Sequence, residues 1–382
     1  MVYQSTSVSL PAGAADPRRR VREPARMSRH VATFCMRLWL AFCVGCFLPV
    51  AGAAGDEPIR LKILGGLAGV SQYERLEKPF WEQRIEQLSG GRVQAEIHAF
   101  DRSGLPGQEM LQLMRLGVVP FGTALLALVS ADEPELNLVD LPALNPDMPA
   151  LRATVAAYRG HLAALLEQKF HIKLLAIYAY PAQVVFCKTG FDGLRGLAGR
   201  RVRTSSVGQS ELMSALGAIP VLTPFSDIVP SVRAGMVDCA ITGTMSGNEI
   251  GLSGVTAYIS PIAISWGLSI FGANLSAWEA IPADLRAVIQ RGVAELERQV
   301  WDAADRETAE GLACDTGSEA CGPGHKPGAM TLVQPSARAE AERRALLVNA
   351  VLPNWLQRCG PDCAAAWNET VGPGFGIVLR AP

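Results

Sequence analysis

The chain has 382 residues, 49% hydrophobic and 19% charged, with a formal net charge of -1. Such a length supports about two domains with a substantial core. The balanced charge gives no basic excess to suit nucleic acid and no long acidic run to suggest a disordered tail.

The first residues do not read as fold. Residues 17–26 (PRRRVREPAR) are basic, Met27 opens MSRHVATFCMR, and residues 38–50 (LWLAFCVGCFLPV) form a compact apolar run ending in Ala51-Gly52-Ala53. A positive start, a short apolar stretch and small residues make an export signal peptide, so residues 1–55 are assigned to a leader and Met27 to a possible true start. The apolar run is shorter than the roughly 20 residues that cross a bilayer. Residues 44–46 (VGC) offer a lipoprotein reading, but Cys43 stands where an aliphatic residue is expected.

The mature part opens with a strand at residues 59–64 (IRLKIL) and a glycine-rich turn, Gly65, Gly66 and Gly69. Ser71 and Glu74 read as a capping box for a helix through Leu88, with Pro79 marking a kink or a later start. Residues 93–99 alternate as a strand, 107–116 form a short helix, and 118–127 read as a buried strand. A helix over 151–168 and a strand over 172–180 complete a first block. A second block repeats the logic: strands at 184–188 and 202–204, a helix at 208–216, a Ser226-capped helix ending at Gly235, and a strand at 237–242. A strand at 269–273 follows. Pro282 then starts the most regular helix, where Leu285, Val288, Ile289, Val293, Leu296 and Val300 keep the 3.6-residue period. Residues 314–335 are a Gly/Pro-rich insertion, and a helix over 336–356 precedes a cysteine-bearing tail. Alternating strands and helices predict α/β lobes with largely parallel sheets.

Three of the nine cysteines, Cys35, Cys43 and Cys46, lie in the leader. The other six are an even number in an exported chain, which favours disulfides. Cys314 with Cys321 and Cys359 with Cys363 would close short loops, although other pairings stay open. Cys187 and Cys239, in apolar strand-like stretches, read as buried free thiols. Their spacing does not suit zinc.

No Walker loop, HExxH or GxSxG is present, and no histidine has the neighbours of a catalytic triad; an enzyme is not expected. The informative stretch is 196–248. Arg203 ends a short strand that runs into Thr204, Ser205 and Ser206, which can cap the next helix. A strand end facing a helix N-terminus favours an anion, and a guanidinium grips a carboxylate with two parallel hydrogen bonds. The position therefore suits a small organic acid.

Several phrases in the right order resemble the extracytoplasmic solute-binding subunits of tripartite ATP-independent periplasmic (TRAP) transporters, of the dicarboxylate-binding-protein type. They are Asp192-Gly193-Leu194, Leu197 to Arg203 (LAGRRVR), Ala215-Leu216-Gly217-Ala218, Phe225-Ser226-Asp227, Gly235-Met236-Val237-Asp238, and Asn274, Trp278 and Ile281-Pro282. The resemblance runs from about Ile59 to Leu356. It implies an α/β, two-lobed periplasmic binding protein (Venus-flytrap) with mixed, largely parallel sheets and a long helix spanning both lobes. Lobe I would be residues 56–180 with about 267–305, and lobe II residues 181–266 with about 306–382.

The resemblance also implies that Arg203 binds the ligand carboxylate. Thr242 stands where the family usually has a side-chain amide, and Phe225 where a ring packs on the ligand. Gln183 stands at a position that is often a second arginine, and Leu125 at one that is acidic in sialic-acid binders. With Trp266 and Gly66 these residues form the expected substrate-binding set. One arginine, with Trp266 and Phe225, fits a monocarboxylate with an apolar or aromatic body. The implied protein is a periplasmic monomer without metal or cofactor that delivers its acid to membrane transporter subunits, closing by a hinge near Tyr180 and Gly267. A ligand-binding protein feeding a sensory receptor is the alternative, and a cleft enzyme a more remote one.

Overall fold

The computed structural model describes residues 57–380, so the leader readings, with Met27, Cys35, Cys43 and Cys46, lie outside the described residues. Eleven strands are described: β1 (Ile59–Gly65), β2 (Val93–Ala99), β3 (Phe121–Leu125), β4 (Ile172–Tyr178), β5 (Gln183–Cys187), β6 (Arg201–Thr204), β7 (Ile219–Leu222), β8 (Cys239–Gly243), β9 (Tyr258–Ile259), β10 (Ser269–Asn274) and β11 (Thr331–Leu332). They form two mixed sheets, ordered β2-β1-β3-β10-β4 and β11-β9-β5-β8-β6-β7. In the first, β1 runs parallel to β2 and β3 while β10 runs antiparallel to β3 and β4. In the second, β6 runs parallel to β7 and β8, and β5 is reversed against β8 and β9.

The reversed strands are the ones that cross between sheets. The chain passes from β4 to β5 through residues 179–182 and returns from Ser265, which bridges Gln183, to Ser269. Ser269 pairs with Leu125 and Tyr178, the last residues of β3 and β4; Gln183 pairs with Gly243, the last of β8. Both short crossings therefore join the carboxyl edges of the two sheets, which is where open α/β sheets place ligands.

The helix Ala283–Asp315 continues past Trp301 to just beyond Gly311, the extension that its sequence allows. Leu285, Ile289, Val293, Leu296 and Val300 are buried against the first sheet, in a cluster with Phe80, Trp81 and Tyr178. Further along, Gly311 lies against the turn opening the helix Thr244–Glu249, and a Cβ there would come within 2.3 Å of the Met245 amide nitrogen. One helix thus touches the elements of both sheets, as the 3.6-residue stripe predicts for its first half.

Several local expectations change. The strand read over 118–127 is only Phe121–Leu125, because Leu126–Val129 turns into a helix whose first amide bonds to Leu268 O. Ser71 caps nothing: its backbone is already helical, its hydroxyl donates to Glu307, and Glu74 accepts from the Gly69 amide. Ser226 also caps nothing, as its hydroxyl turns to Asp227 and the helix proper is Ile228–Arg233. The helix read over 336–356 divides into Ala339–Leu346, a wider turn at Leu347–Val351 and Leu352–Cys359.

Cys187 and Cys239 are not free thiols but a disulfide. They are directly opposed residues of the antiparallel β5–β8 pair, and opposed residues share a face. The two expected short-loop pairs, Cys314–Cys321 and Cys359–Cys363, are also disulfides. The C-terminal helices reach across the molecule. Arg343 donates to the carbonyls of Ala143 and Leu144, the Trp355 indole to Pro134 O, and Arg358 to Glu211 in the helix Val207–Ala215.

Candidate ligand-binding site

Ser206 starts the helix Val207–Ala215 by accepting the Gln209 amide on its hydroxyl, so β6 ends where the sequence placed the cap. Two residues earlier, Arg203 pairs with Ala240 of β8. Thr242 is two positions further along β8, so it shares a face of the sheet with Arg203. The guanidinium bends over the carboxyl edge: Nε and Nη2 donate to Thr223 O at 2.9 and 2.7 Å, just beyond β7, and Nη1 donates to Ile241 O at 2.7 Å in β8. The central strand of three thus carries a cation tied to the main chain of both neighbours.

Arg203 is only 3% exposed, and among the described residues no carboxylate pairs with it. Burial alone lowers its pKa to about 9, so it stays cationic at neutral pH. A guanidinium has five N–H groups. Two of them, one on each terminal nitrogen, have no acceptor among the described residues. A buried cation lacking a counter-charge but holding two open donors is arranged for an anion.

The other expected residues are placed as follows. Gln183, half-buried, opens β5 at the same edge; its Oε1 accepts from Gln209 Nε2 at 2.6 Å and from Ser265 Oγ at 2.9 Å. Thr242 is buried, and its hydroxyl makes no hydrogen bond among the described residues. Phe225 is half-buried in a short turn two residues beyond Thr223. Leu125 is half-buried at the end of β3. Trp266 is buried, with its indole N–H given to Asn145 O. Gly66 is packed under Glu77 and Tyr180, and its amide is taken by the Glu77 carboxylate at 2.9 Å. Arg203, Thr242 and Gln183 therefore lie on the second sheet's edge, Leu125 and Gly66 on the first sheet's, and Trp266 in the crossing between them.

Other residues at the crossings were not singled out by the sequence. Asp140 is buried and accepts the amides of Trp266, Gly267 and Leu268 at 2.7, 2.8 and 3.2 Å, fixing one whole crossing. Burial pushes its pKa up to about 6 against those three hydrogen bonds. An acid inside the apolar run LNLVDLPAL was the available signal. Ser71, in the turn after β1, gives its amide to Glu249 at 3.2 Å and its hydroxyl to Glu307 at 2.6 Å. Glu249 belongs to the helix after β8 and Glu307 to the long helix, so these bonds hold the first sheet's edge against the second sheet's elements. A cavity of about 10 Å³, the room of one water molecule, lies beside them between Gln72, Tyr180, Ser246 and Glu307. A larger hollow of about 440 Å³ opens instead at the ends of β1 and β2, beside His98 and Arg102, and touches none of the expected residues. Among the described residues no group of three metal-ligating side chains occurs, and no helix is long and apolar enough to cross a membrane.

Comparison with known proteins agrees with this architecture. Residues 68–314 match the bacterial extracellular solute-binding protein family 7. The chain belongs to this family. Its members and fold neighbours are solute-binding proteins, not enzymes. The C4-dicarboxylate-binding periplasmic protein DctP of Rhodobacter capsulatus is 25% identical over 225 residues; the match spans 56% of this chain and 65% of that one. Solved structures share the fold at low identity. DctP7 of Bordetella pertussis, an extracytoplasmic solute receptor solved binding pyroglutamic acid, superposes with a TM-score of 0.71 at 18% identity, covering 81% of this chain and 99% of its own. A TRAP periplasmic solute-binding protein from Desulfovibrio salexigens, with bound orotic acid, gives 0.70 at 16% identity, covering 81% and 96%. The two-lobed α/β fold expected from the sequence is thus the fold of this chain.

Proposed function

We propose that this family 7 protein is a periplasmic receptor that captures a small monocarboxylic acid on Arg203 and hands it to a TRAP-type membrane transporter. The observation that carries the reading is the buried guanidinium that, among the described residues, keeps two open N–H donors and meets no carboxylate. A bound carboxylate supplies the missing counter-charge. Closing the sheet edges around it removes water and strengthens the pair. Residues 179–182, between β4 and β5, and 266–268, between Ser265 and β10, are the short crossings assigned to the hinge. The relatives support the ligand class in kind: solved neighbours carry pyroglutamate, orotate, galacturonate or malonate, all small organic acids. Thr242, Phe225 and Leu125 are assigned to the walls around the acid, with Gln183 as a second polar contact. Lobe I takes residues 56–180 with about 267–305, lobe II takes 181–266 with about 306–382, and the working unit is a monomer.

The test is a thermal-shift screen of the mature chain, unfolded and refolded to shed carried-over ligand, against a library of mono- and dicarboxylates, followed by calorimetry on the hits. Stabilisation by monocarboxylates, lost in an Arg203 variant, is the expected result. Binding of neutral sugars or cations instead would discard the reading.

A further inference from the structure

The orientation of a glutamine amide is set by its partners, because its oxygen only accepts and its nitrogen only donates. At this edge the orientation is traceable to a main-chain group. The Ser205 amide, which can only donate, bonds Gln209 Oε1 at 2.9 Å, and the Ser205 hydroxyl adds a contact at 3.1 Å. Gln209 is 1% exposed and must therefore turn its Nε2 the other way, where it donates to Gln183 Oε1 and to Ser265 Oγ at 2.8 Å. Ser265 in turn donates to the same Gln183 oxygen. Gln183 Oε1 is thus occupied by two donors, and its Nε2 faces away from them, beside Gly267 in the crossing. Among the described residues that nitrogen has no acceptor. Gly267 is needed here, since a Cβ would fall 2.5 Å from Gln183 Nε2 and its φ is +70°.

We infer that Gln209 and Ser265 are positioning residues that lock Gln183 as a donor, so that the site accepts a monocarboxylate carrying a neutral oxygen acceptor, such as a carbonyl, beside its carboxylate. The inference rests on the proposed role of Arg203 and deepens it. With Arg203 and Gln183 both presenting N–H groups only, a ligand donor placed against either one meets donors. A second carboxylate would need a second cation, which none of the other residues assigned to the site supplies, and so costs more than a neutral acceptor. Because Ser205 directly follows the Arg203 strand, the carboxylate seat and the donor lock are parts of one segment.

The experiment is calorimetry with pairs of monocarboxylates matched in shape, one member with a carbonyl and one with a methylene group in its place, 3-oxocyclopentanecarboxylate and cyclopentanecarboxylate being the first pair. The wild type should bind at least one carbonyl member about tenfold more tightly than its partner. Gln209→Glu keeps an acceptor for Ser205 but donates nothing, so Gln183 turns its nitrogen inward and shows its oxygen to the ligand. The tenfold ratio should then collapse to about one or invert. A merely structural role would weaken both members alike and leave the ratio intact. Gln183→Met, which removes the donor itself, should abolish the ratio too, and stands in should Gln209→Glu fail to fold. No carbonyl member outbinding its partner, or a ratio preserved in the variants, overturns the inference. If Arg203→Met alone leaves binding of every acid unchanged, the failure lies with the carboxylate anchor instead.

Discussion

Arg203→Met separates a ligand-binding role from a structural one, because stability and affinity report the two effects independently. In the ligand-free protein the fall in the Arg203 pKa from its ordinary value to about 9 corresponds to a burial cost of about 5 kcal/mol. Against it stand three charge-assisted bonds to Thr223 O and Ile241 O, each contributing about 1.5–3 kcal/mol. The terms largely cancel, and methionine fills a similar volume without charge, so the stability of the empty protein should change by no more than about 4 kcal/mol. Ligand binding has no such cancellation. The two remaining N–H groups meet a carboxylate, and losing both should cost about 3–6 kcal/mol, a weakening of at least a hundredfold. Urea unfolding of the refolded protein measures the first quantity and calorimetry with a hit acid the second. Arg203→Lys keeps the charge but loses the fork, and should bind weakly as well. Should Arg203→Met lose more than about 4 kcal/mol of stability while binding within threefold of wild type, the arginine is a structural tie and the reasoning fails.

Three further outcomes follow from the same geometry. Asp140→Asn replaces an all-acceptor group facing three amides with one that must point a donor at one or two of them, and should destabilise the fold by about 2–4 kcal/mol in chemical denaturation; a loss under about 0.5 kcal/mol would mean the crossing is held by other contacts. Gly66→Ala places a methyl group 2.7 Å from Glu77 Oε1 and 2.8 Å from the Tyr180 hydroxyl, and should lower the melting temperature through a cost of about 1–3 kcal/mol; an unchanged melting curve would show that these side chains yield freely. Stability should also rise on mild acidification. Burial holds Glu77, Glu249 and Asp315 up at about 7 and Asp140 at about 6, so between those values and the unfolded carboxylate range the folded state binds more protons than the unfolded one. The penalty of these raised groups is full above the folded values and fades as pH falls through them. A melting temperature higher at pH 5.5 than at pH 7.5 is expected, with a shallower slope in Glu77→Gln; a flat or reversed profile counts against it.

What could be read from the sequence was what neighbours in the chain decide. Ser206 as a helix cap and the apolar stripe from Leu285 to Val300 depend on residues a few positions apart, and both hold. Arg203 was conspicuous for the same reason, a charged residue between an apolar strand and a capping run. Features set by pairing register or by distant partners stayed hidden. Cys187 and Cys239 look like inert thiols until β5 and β8 are known to oppose them. Ser71 and Glu74 match a capping box, yet the tertiary partner Glu307 outcompetes the local amide for the serine hydroxyl. The Ser205–Gln209–Gln183 relay and the hold of Asp140 on residues 266–268 join segments tens to more than a hundred positions apart, and no periodicity signals them.

The seat of Gly311 on the Thr244–Met245 turn leaves no space for even a methyl group between two stretches of backbone. The helix Ala283–Asp315 is therefore a rod clamped at one end and embedded along the other, unable to slip lengthwise. If the two sheet edges part as proposed, opening has to flex that rod while twisting two slender tethers, and the rod would then serve as a leaf spring that returns the halves to their resting gap.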